Sequence, residues 1–462
     1  MIEADYLIVG AGAMGMAFAD VVLTETDATV AIVDRYGSPG GHWNRAYPYV
    51  RLHQPSAFYG VNSRPLGSDA KDATGWNAGL FELASGAEVL AYFDQVMNQQ
   101  FLPSGRVQYF PMCEYAEGGS IVSLVSGETH EVAARKVVDS TYMHVTVPSM
   151  RPPVYEVADG LRCVSPNALT AIDRPPAGYV VVGAGKTGID ACLWLLATGV
   201  DPDDITWIMP RDSWLLDRAT IQPGPESFDS TIGGFAKQLE ASALATSITD
   251  LFDRLEVSGQ LLRLDDTVRP SMYRCATVTV AELEQLRRID GIVRLGRVRS
   301  IGPQEIVLEN GSFPTSPDAL YIDCTADGLE RRPAVPVFDS DRITLQSVRT
   351  CQQVFSAAFI GHVEASSSDD AEKNELCTVV PHPDSDIDWL RTTLATALNS
   401  ARWNSDPNLP AWLRGSRLDA FSNDRLDGDP DPAQLELLGR IVKHVPGAIT
   451  NLQRLLAGVA DD

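Results

Sequence analysis

The sequence predicts an α/β chain with two parallel-sheet domains, the second inserted into the first, and a helical C-terminal segment. Three observations carry that fold class: a glycine-rich turn at residues 10–15 after a short apolar strand, a second copy at residues 183–188, and Pro-rich connectors around the second copy. Each turn follows a run of strand length and precedes a run of helical length, the context in which G-x-G-x-x-G has a mechanical meaning.

The first unit reads as a buried strand (Tyr6-Leu7-Ile8-Val9), a turn (Gly10-Ala11-Gly12-Ala13-Met14-Gly15), a helix from Met16 to Leu23 and a second strand from Thr29 to Asp34. The first glycine permits a tight turn, the second lets backbone approach a pyrophosphate, and the third lets the helix pack closely on the strand. The helix N-terminus then offers its unpaired N–H groups to phosphates. Asp34, 19 residues past Gly15, is placed to accept from the ribose hydroxyls of an adenosine. The unit thus predicts an adenine dinucleotide held by Gly10, Gly12, Ala13, Met14, Gly15 and Asp34, with Arg35 beside them.

The second unit runs from the strand Tyr179–Val182 through Gly183-Ala184-Gly185-Lys186-Thr187-Gly188 and a helix to Thr198, then the strand Ile205 to Met209 and Pro210-Arg211. Its offset from the first, 173 residues between Gly10 and Gly183, is too long for a solenoid repeat and suits a second nucleotide-binding domain. A Walker A loop would need a glycine where the chain has Val180. Where the first unit ends in Asp34, the second ends in Arg211, which can pair bidentately with a 2′-phosphate, although Asp212 beside it is a rival partner. The two units therefore predict one adenosine cofactor without a 2′-phosphate and one with it, the latter on Gly183, Gly185, Lys186, Thr187, Gly188 and Arg211.

Two segments echo each other: Lys136 to Thr141 and Ala319 to Ala326 both read as a buried strand ending in Asp, a small residue and Thr. They are expected where the chain leaves and re-enters the first sheet, which gives Rossmann-like domains over 1–170, 171–320 (inserted) and 321–462, the last completing the first domain and adding a helical cap. Pro148, Pro152-Pro153, Pro175-Pro176 and Pro303 punctuate the connectors. An amphipathic helix is expected from Ile387-Asp388-Trp389-Leu390, and one or two more from Leu435 to Leu456, broken at Pro446-Gly447.

Composition bounds the function. Of 462 residues, 44% are apolar and 21% charged, as in ordinary globular domains, and the net charge of −24 repels polyanions, which argues against nucleic acid or an anionic membrane as partner. No apolar run reaches the roughly 18 residues of a spanning helix. The first residues enter a strand without a basic leader, so a cytoplasmic location is expected. Seven widely spaced cysteines without C-x-x-C argue against zinc ribbons, iron–sulfur clusters and a redox-active disulfide, and seven histidines without H-E-x-x-H offer no metal site.

The two turns, together with Gly40-Gly41-His42-Trp43 after Asp34 and with Arg51-Leu52-His53-Gln54-Pro55, resemble the flavin-containing monooxygenases, their plant auxin-forming relatives and the wider class with one FAD domain and one NADPH domain. The resemblance implies FAD on the first unit with Gly41, His42 and Trp43 close to the flavin, and NADPH on the second with Arg211 on its 2′-phosphate. It further implies that NADPH passes hydride to the flavin and that the reduced flavin takes up molecular oxygen as a hydroperoxide to oxygenate a small-molecule substrate. His53, Gln54 and Asn62 are then the catalytic candidates, His53 being the one group there whose charge could change near neutral pH. The family's linker signature keeps only Gly160 and Ser165, and Cys324-Thr325-Ala326 stands for its A-T-G. These departures leave a non-oxygenating FAD/NAD(P)H oxidoreductase as the alternative. A non-catalytic flavin-binding scaffold fits two intact motifs poorly, and a homodimer stays open.

Overall fold

The computed structural model describes residues 1–116, 118–326, 328–421 and 430–459. The first sheet has the strand order Phe338–Asp339, Arg342–Thr344, Thr129–Asp139, Ile2–Val9, Val30–Asp34, Val107–Pro111, with the hairpin of Cys113–Ala116 and Ser120–Ser123 attached to Thr129–Asp139. The strands around Ile2–Val9 are parallel, Val9 standing opposite Val33 on one side and Asp139 on the other. Leu7, Ile8, Ala31, Ile32 and Val33 are buried without alternation, because a parallel sheet is covered on both faces. The helix Ala13–Glu25 forms part of that cover and packs on the helix Gln353–Ser366, where Gly361 lies against the Phe18 carbonyl.

The second sheet has the order Gly291–Val293, Ile205–Ile208, Tyr179–Val182, Leu320–Asp323, Arg162–Val164, all parallel. It repeats the first sheet's centre: Tyr179–Val182 is flanked by the strand that follows its helix and by the strand that ends in Asp323, as Ile2–Val9 is flanked by Val30–Asp34 and the strand that ends in Asp139.

This corrects the reading of the two echo segments. Both were expected to border the first sheet, but Leu320–Asp323 belongs to the second, and the chain returns to the first at Phe338–Thr344, with Arg342 opposite Val137. The echo arises because each segment closes against its own glycine turn: a Cβ on Gly10 would stand 2.6 Å from Ser140 Oγ, and one on Gly183 would stand 2.7 Å from the Cys324 carbonyl. In both, the Asp carboxylate accepts from the N–H and hydroxyl of the Thr two residues on (Asp139 with Thr141, Asp323 with Thr325). Arg162–Val164 joins the second sheet and Glu156–Val157 pairs with Val298–Ile301, both upstream of the expected boundary at 170; on strand membership we propose that the inserted unit be drawn from Glu156 to Asp323.

The helix Asp386–Ser405 starts at a capping box of Ser385 and Asp388, and its Trp389 is buried edge-on to Phe252. Pro432–Ala457 is one continuous helix, against the expected break at Pro446-Gly447. It lies along the helix Phe228–Leu244, held before the proline by Arg440 and Glu240 at 2.6 Å and after it by Asn451, which donates to the carbonyls of Ser242 and Ala245 at 2.8 Å. Packing on both sides overrides the one backbone bond that a proline removes. Cys275 and Cys351, 76 residues apart, form a disulfide that the cysteine spacing does not disclose. No helix among the described residues is long and apolar enough to cross a membrane.

The third glycine of each turn leaves no room for a side chain: a Cβ on Gly15 would overlap the Gly10 carbonyl oxygen, and one on Gly188 that of Gly183. Gly15→Ala and Gly188→Ala should each cost about 1–3 kcal/mol in urea unfolding, the range for overpacking. Gly439, exposed in the long C-terminal helix with nothing near its missing Cβ, predicts the opposite sign, Gly439→Ala being stabilised by about 0.5–1 kcal/mol.

Candidate functional site

At the first turn Gly10 has a φ of 102° and its N–H donates to the Val33 carbonyl at 2.8 Å. Asp34, only 5% exposed, accepts the Ala11 N–H at 2.6 Å on one carboxylate oxygen and the Tyr36 N–H at 2.7 Å on the other. The carboxylate thus fastens the end of the second strand to the glycine turn, and each oxygen keeps acceptor capacity for a ligand. Burial raises its pKa, opposed by those two N–H groups. Gly40, at φ 117°, donates to the Ala11 carbonyl at 2.8 Å, which seats Gly41 directly against Gly12. The helix that starts after Gly12 has no side-chain cap and no acid in its first turn, so Ala13 and Met14 lie at an uncompensated positive end.

A cavity of about 380 Å³ opens just past the end of the second strand, lined among others by Arg35, Tyr36, Ser38, Asn44, Arg45 and Met112. Its size falls within the usual span of small-molecule sites. Arg35 lines it while pairing with Glu114 at 3.2 Å, and Arg45 lies over the Tyr36 ring at 5.7 Å. Trp43 is buried and donates to the Tyr59 hydroxyl at 2.7 Å, with the His42 ring stacked on it at 5.5 Å; burial lowers the His42 pKa to about 4.

The structure distributes the catalytic candidates between two flanks. The His53 carbonyl accepts from Arg218, a buried arginine of the second unit, at 3.1 Å, while its ring Nδ1 is buried without a partner. Burial first, then the charges of Lys186 and Arg218, lower its pKa to about 3, so its charge change lies far below neutrality rather than near it. Asn62 accepts from the Ser416 hydroxyl at 3.0 Å on the C-terminal side, where Arg417 donates to the carbonyls of Tyr59 and Val61. Gln54 is half-buried next to His53.

At the second turn Gly183 has a φ of 124°, and its carbonyl accepts from the Trp207 indole at 2.8 Å. Gly185 starts the helix Lys186–Ala197 without a side-chain cap, and open space faces its missing Cβ. Lys186 turns along its own helix onto Asp190, which also accepts from Tyr47 at 2.7 Å; Thr187 is half-buried. A smaller cavity of about 220 Å³ lies between this helix and the first segment, lined by Tyr49, Arg51, Trp76, Lys186, Trp194 and Arg218 among others.

Arg211 does not take Asp212, which Arg294 holds bidentately at 2.8 and 3.0 Å. It reaches Asp384 instead, 3.0 Å from each carboxylate oxygen, and Arg274 and Arg331 converge on the same carboxylate. Burial alone would raise the Asp384 pKa, but Arg274 and Arg211 outweigh it and hold it at about 2. Arg274, Arg331 and Asp384 belong to no motif, and no local pattern in the sequence points to them.

Three histidines are held neutral: His42 and His382 titrate at about 4 and His53 at about 3, burial being the first cause in each. Unfolded histidine protonates near pH 6.5, so the unfolded chain binds more protons below that pH and stability, full above it, is lost as the pH falls toward 4. The expected loss by pH 5 is about 1–2 kcal/mol per histidine, read as a fall in urea midpoint from pH 7.5 to pH 5. His42→Gln or His382→Gln should flatten that slope, and a native-state histidine resonance at either position titrating near 6.5 would contradict it.

No family model matches the chain. In structure it is similar to a flavin-containing monooxygenase from Stenotrophomonas maltophilia (14% identity, 82% of this chain and 100% of that one, TM-score 0.46) and to the closed form of cyclohexanone monooxygenase (13%, 99% and 97%, 0.46). In sequence it is 58% identical over 422 residues, covering 91% of this chain and 78% of each relative, to the uncharacterized proteins Rv2000 of Mycobacterium tuberculosis and Mb2023 of Mycobacterium bovis. At that identity and coverage the chain belongs to the same family as these two mycobacterial proteins.

Proposed function

We propose that the chain is a flavin-dependent oxidoreductase that holds FAD at the Gly10–Gly15 turn and NADPH at the Gly183–Gly188 turn, and that it oxygenates a small molecule. One observation carries the reading: the same strand, glycine turn and uncapped helix occur twice, with a buried carboxylate after the first unit and a guanidinium after the second. The residues fit the cofactors. Asp34 takes one backbone N–H on each oxygen and retains lone pairs for ribose hydroxyls, the N–H groups of Ala13 and Met14 at an uncapped helix start suit a pyrophosphate, and Arg211 suits a 2′-phosphate.

Bound FAD supplies a hydride acceptor that, once reduced, reacts with molecular oxygen. The chain's own part is to bind, orient and exclude water. Trp43, buried, and the His42 ring stacked on it follow Gly41 directly, and His53, neutral at pH 7, offers hydrogen-bonding nitrogen without charge. The loss of all but Gly160 and Ser165 from the linker signature favours the second reading, a reductase or oxidase that uses the same cofactors without oxygenation.

Gly12→Val should yield a folded, colourless protein where the parent is yellow, since a branched side chain at the helix start would stand in the pyrophosphate position; retained flavin would overturn the first site. With NADPH in air and a panel of small amines, sulfides and ketones, an oxygenated product supports oxygenation. Peroxide released in amounts equal to the NADPH consumed, with no product from any compound, supports the second reading.

A further inference from the structure

Cys275 lies in the strand Met272–Val278 of the inserted unit, and Cys351 stands two residues before the helix Gln353–Ser366 of the first, so their disulfide is a covalent tie across the junction of the two units. The absence of C-x-x-C argues against a redox-active pair only for cysteines that are close in the chain. Two features set this distant pair apart. Both cysteines have a φ of 56°, and they are two of the six residues other than glycine with positive φ among the described residues. A side chain is disfavoured there because its Cβ crowds the following carbonyl, and residues kept in such a conformation by their surroundings mark functional and switching sites. Cys275 also sits where the ladder with Ser213–Asp217 slips register, between the pairs Trp214–Tyr273 and Leu216–Thr277. A bulge of this kind re-aims a side chain, here toward Cys351.

The two segments are held to one another without the bond as well. Both dock on the helix Asp386–Ser405 and the residues just before it. Tyr273 donates its N–H to the Asp384 carbonyl at 3.0 Å, and Tyr273 and Cys275 share a buried cluster with Trp389 and Leu390. Thr350, next to Cys351, donates its N–H to the Thr396 hydroxyl at 3.1 Å and pairs hydroxyl to hydroxyl with it at 2.7 Å. Opening the disulfide leaves these contacts in place and frees the bulge. Two residues past Cys275, the Thr277 carbonyl accepts from Arg218 at 3.4 Å, and Arg218 donates to the His53 carbonyl at 3.1 Å. The Thr277 hydroxyl returns to the Cys275 carbonyl at 3.1 Å. A change in the Cys275 backbone therefore reaches, within two residues, the arginine that holds the His53 segment.

We propose that Cys275–Cys351 is a reversible redox latch, opened by a dithiol reductant, whose state sets how firmly the inserted unit holds the His53 segment. Cys275 is 6% exposed and Cys351 half-buried, so the incoming thiolate meets the Cys351 sulfur. A bond forms between the reductant and Cys351, the Cys275–Cys351 bond breaks, and Cys275 leaves as a thiolate that takes up a proton. The second thiol of the reductant gives up its proton, attacks the reductant's own sulfur in the mixed disulfide and releases Cys351 as a thiolate, which is protonated in turn. Two electrons and two protons pass to the protein, and the reductant leaves as its disulfide. The latch works whichever cofactors the two glycine turns hold.

The test treats the full chain with dithiothreitol under native conditions and counts thiols afterwards by maleimide labelling in urea. Five thiols are expected before treatment and all seven after it. Hydrogen exchange then compares the two forms. The reduced protein should keep its far-ultraviolet circular dichroism, while amides of Met272–Val278 and of residues 50–58 exchange about tenfold faster and those of Tyr179–Val182 are unchanged. Cys351→Ala should exchange like the reduced parent and ignore dithiothreitol; if it does not fold, the reduced parent decides alone. Seven thiols in the air-oxidised protein would overturn the latch, because the bond would not form. So would a disulfide that resists dithiothreitol until urea unfolds the chain, or a loss of circular dichroism on reduction, since either describes a structural staple. Reduction without faster exchange in residues 50–58 would overturn the link to His53 and with it the proposal.

Discussion

The architecture of both nucleotide turns depends on one steric constraint: the carbonyl oxygen of the first glycine lies where a side chain on the third would begin. That contact presses each helix against its strand and fixes where the helix N-terminus points. What borders the turns follows from it. Ser140 in the first sheet and Cys324 in the second fill the space behind the first glycine, and the Asp before each turns back to cap the following Thr. Each Asp then takes an arginine from a more distant segment, Asp139 with Arg342 at 2.6 Å and Asp323 with Arg151 at 3.7 Å. The same local solution appears twice because the same constraint does.

The two units part company in charge. After the first, the strand delivers a buried carboxylate whose oxygens are half used by backbone; after the second, it delivers a guanidinium already held by an acid from another part of the chain. The return to the first sheet is secured by a buried ionic group, Glu364 accepting from Tyr6, Lys136 and Lys373, which ties the first strand and Thr129–Asp139 to the helices beyond the insertion. Such groups are costly to bury unless fully paired, and here each charge has partners.

Much of this was legible in the residues. The glycine turns, the strand–helix–strand order, Asp34 and the amphipathic helix at Ile387–Leu390 are local features, set by sterics and periodicity within a few positions, whereas the cap at Ser385 emerged only from the structure. What was not legible is long-range. Asp384 is 173 residues from Arg211, and nothing local in either segment marks the other. Cys275 meets Cys351 across 76 residues without a spacing rule. The return strand Arg342–Thr344 has three residues, too few for a pattern, whereas Leu320–Asp323 resembled a return strand because it answers to its own turn. Pro446 reads as a break until the neighbouring helix supplies contacts on both sides of it.

The C-terminal third touches both sites through one continuous stretch of chain. It starts at Asp384 among the arginines of the second unit and runs through the helix Asp386–Ser405. It then reaches Ser416 and Arg417, which hold Asn62, Tyr59 and Val61 beside Trp43. Its far end is anchored where Arg349 pairs with buried Asp419 at 2.6 Å and lies over the rings of Phe355 and Trp403. A segment fixed at that end by a buried ion pair and packed along its length by Trp389 and Trp403 has little freedom to shift as a body. At its near end the Asp384 backbone is held by Tyr273 and Asp388 and its carboxylate by Arg211, Arg274 and Arg331, so the stretch is tied at both ends, to the second unit by ionic contacts and to the first by Asp419 and Arg417.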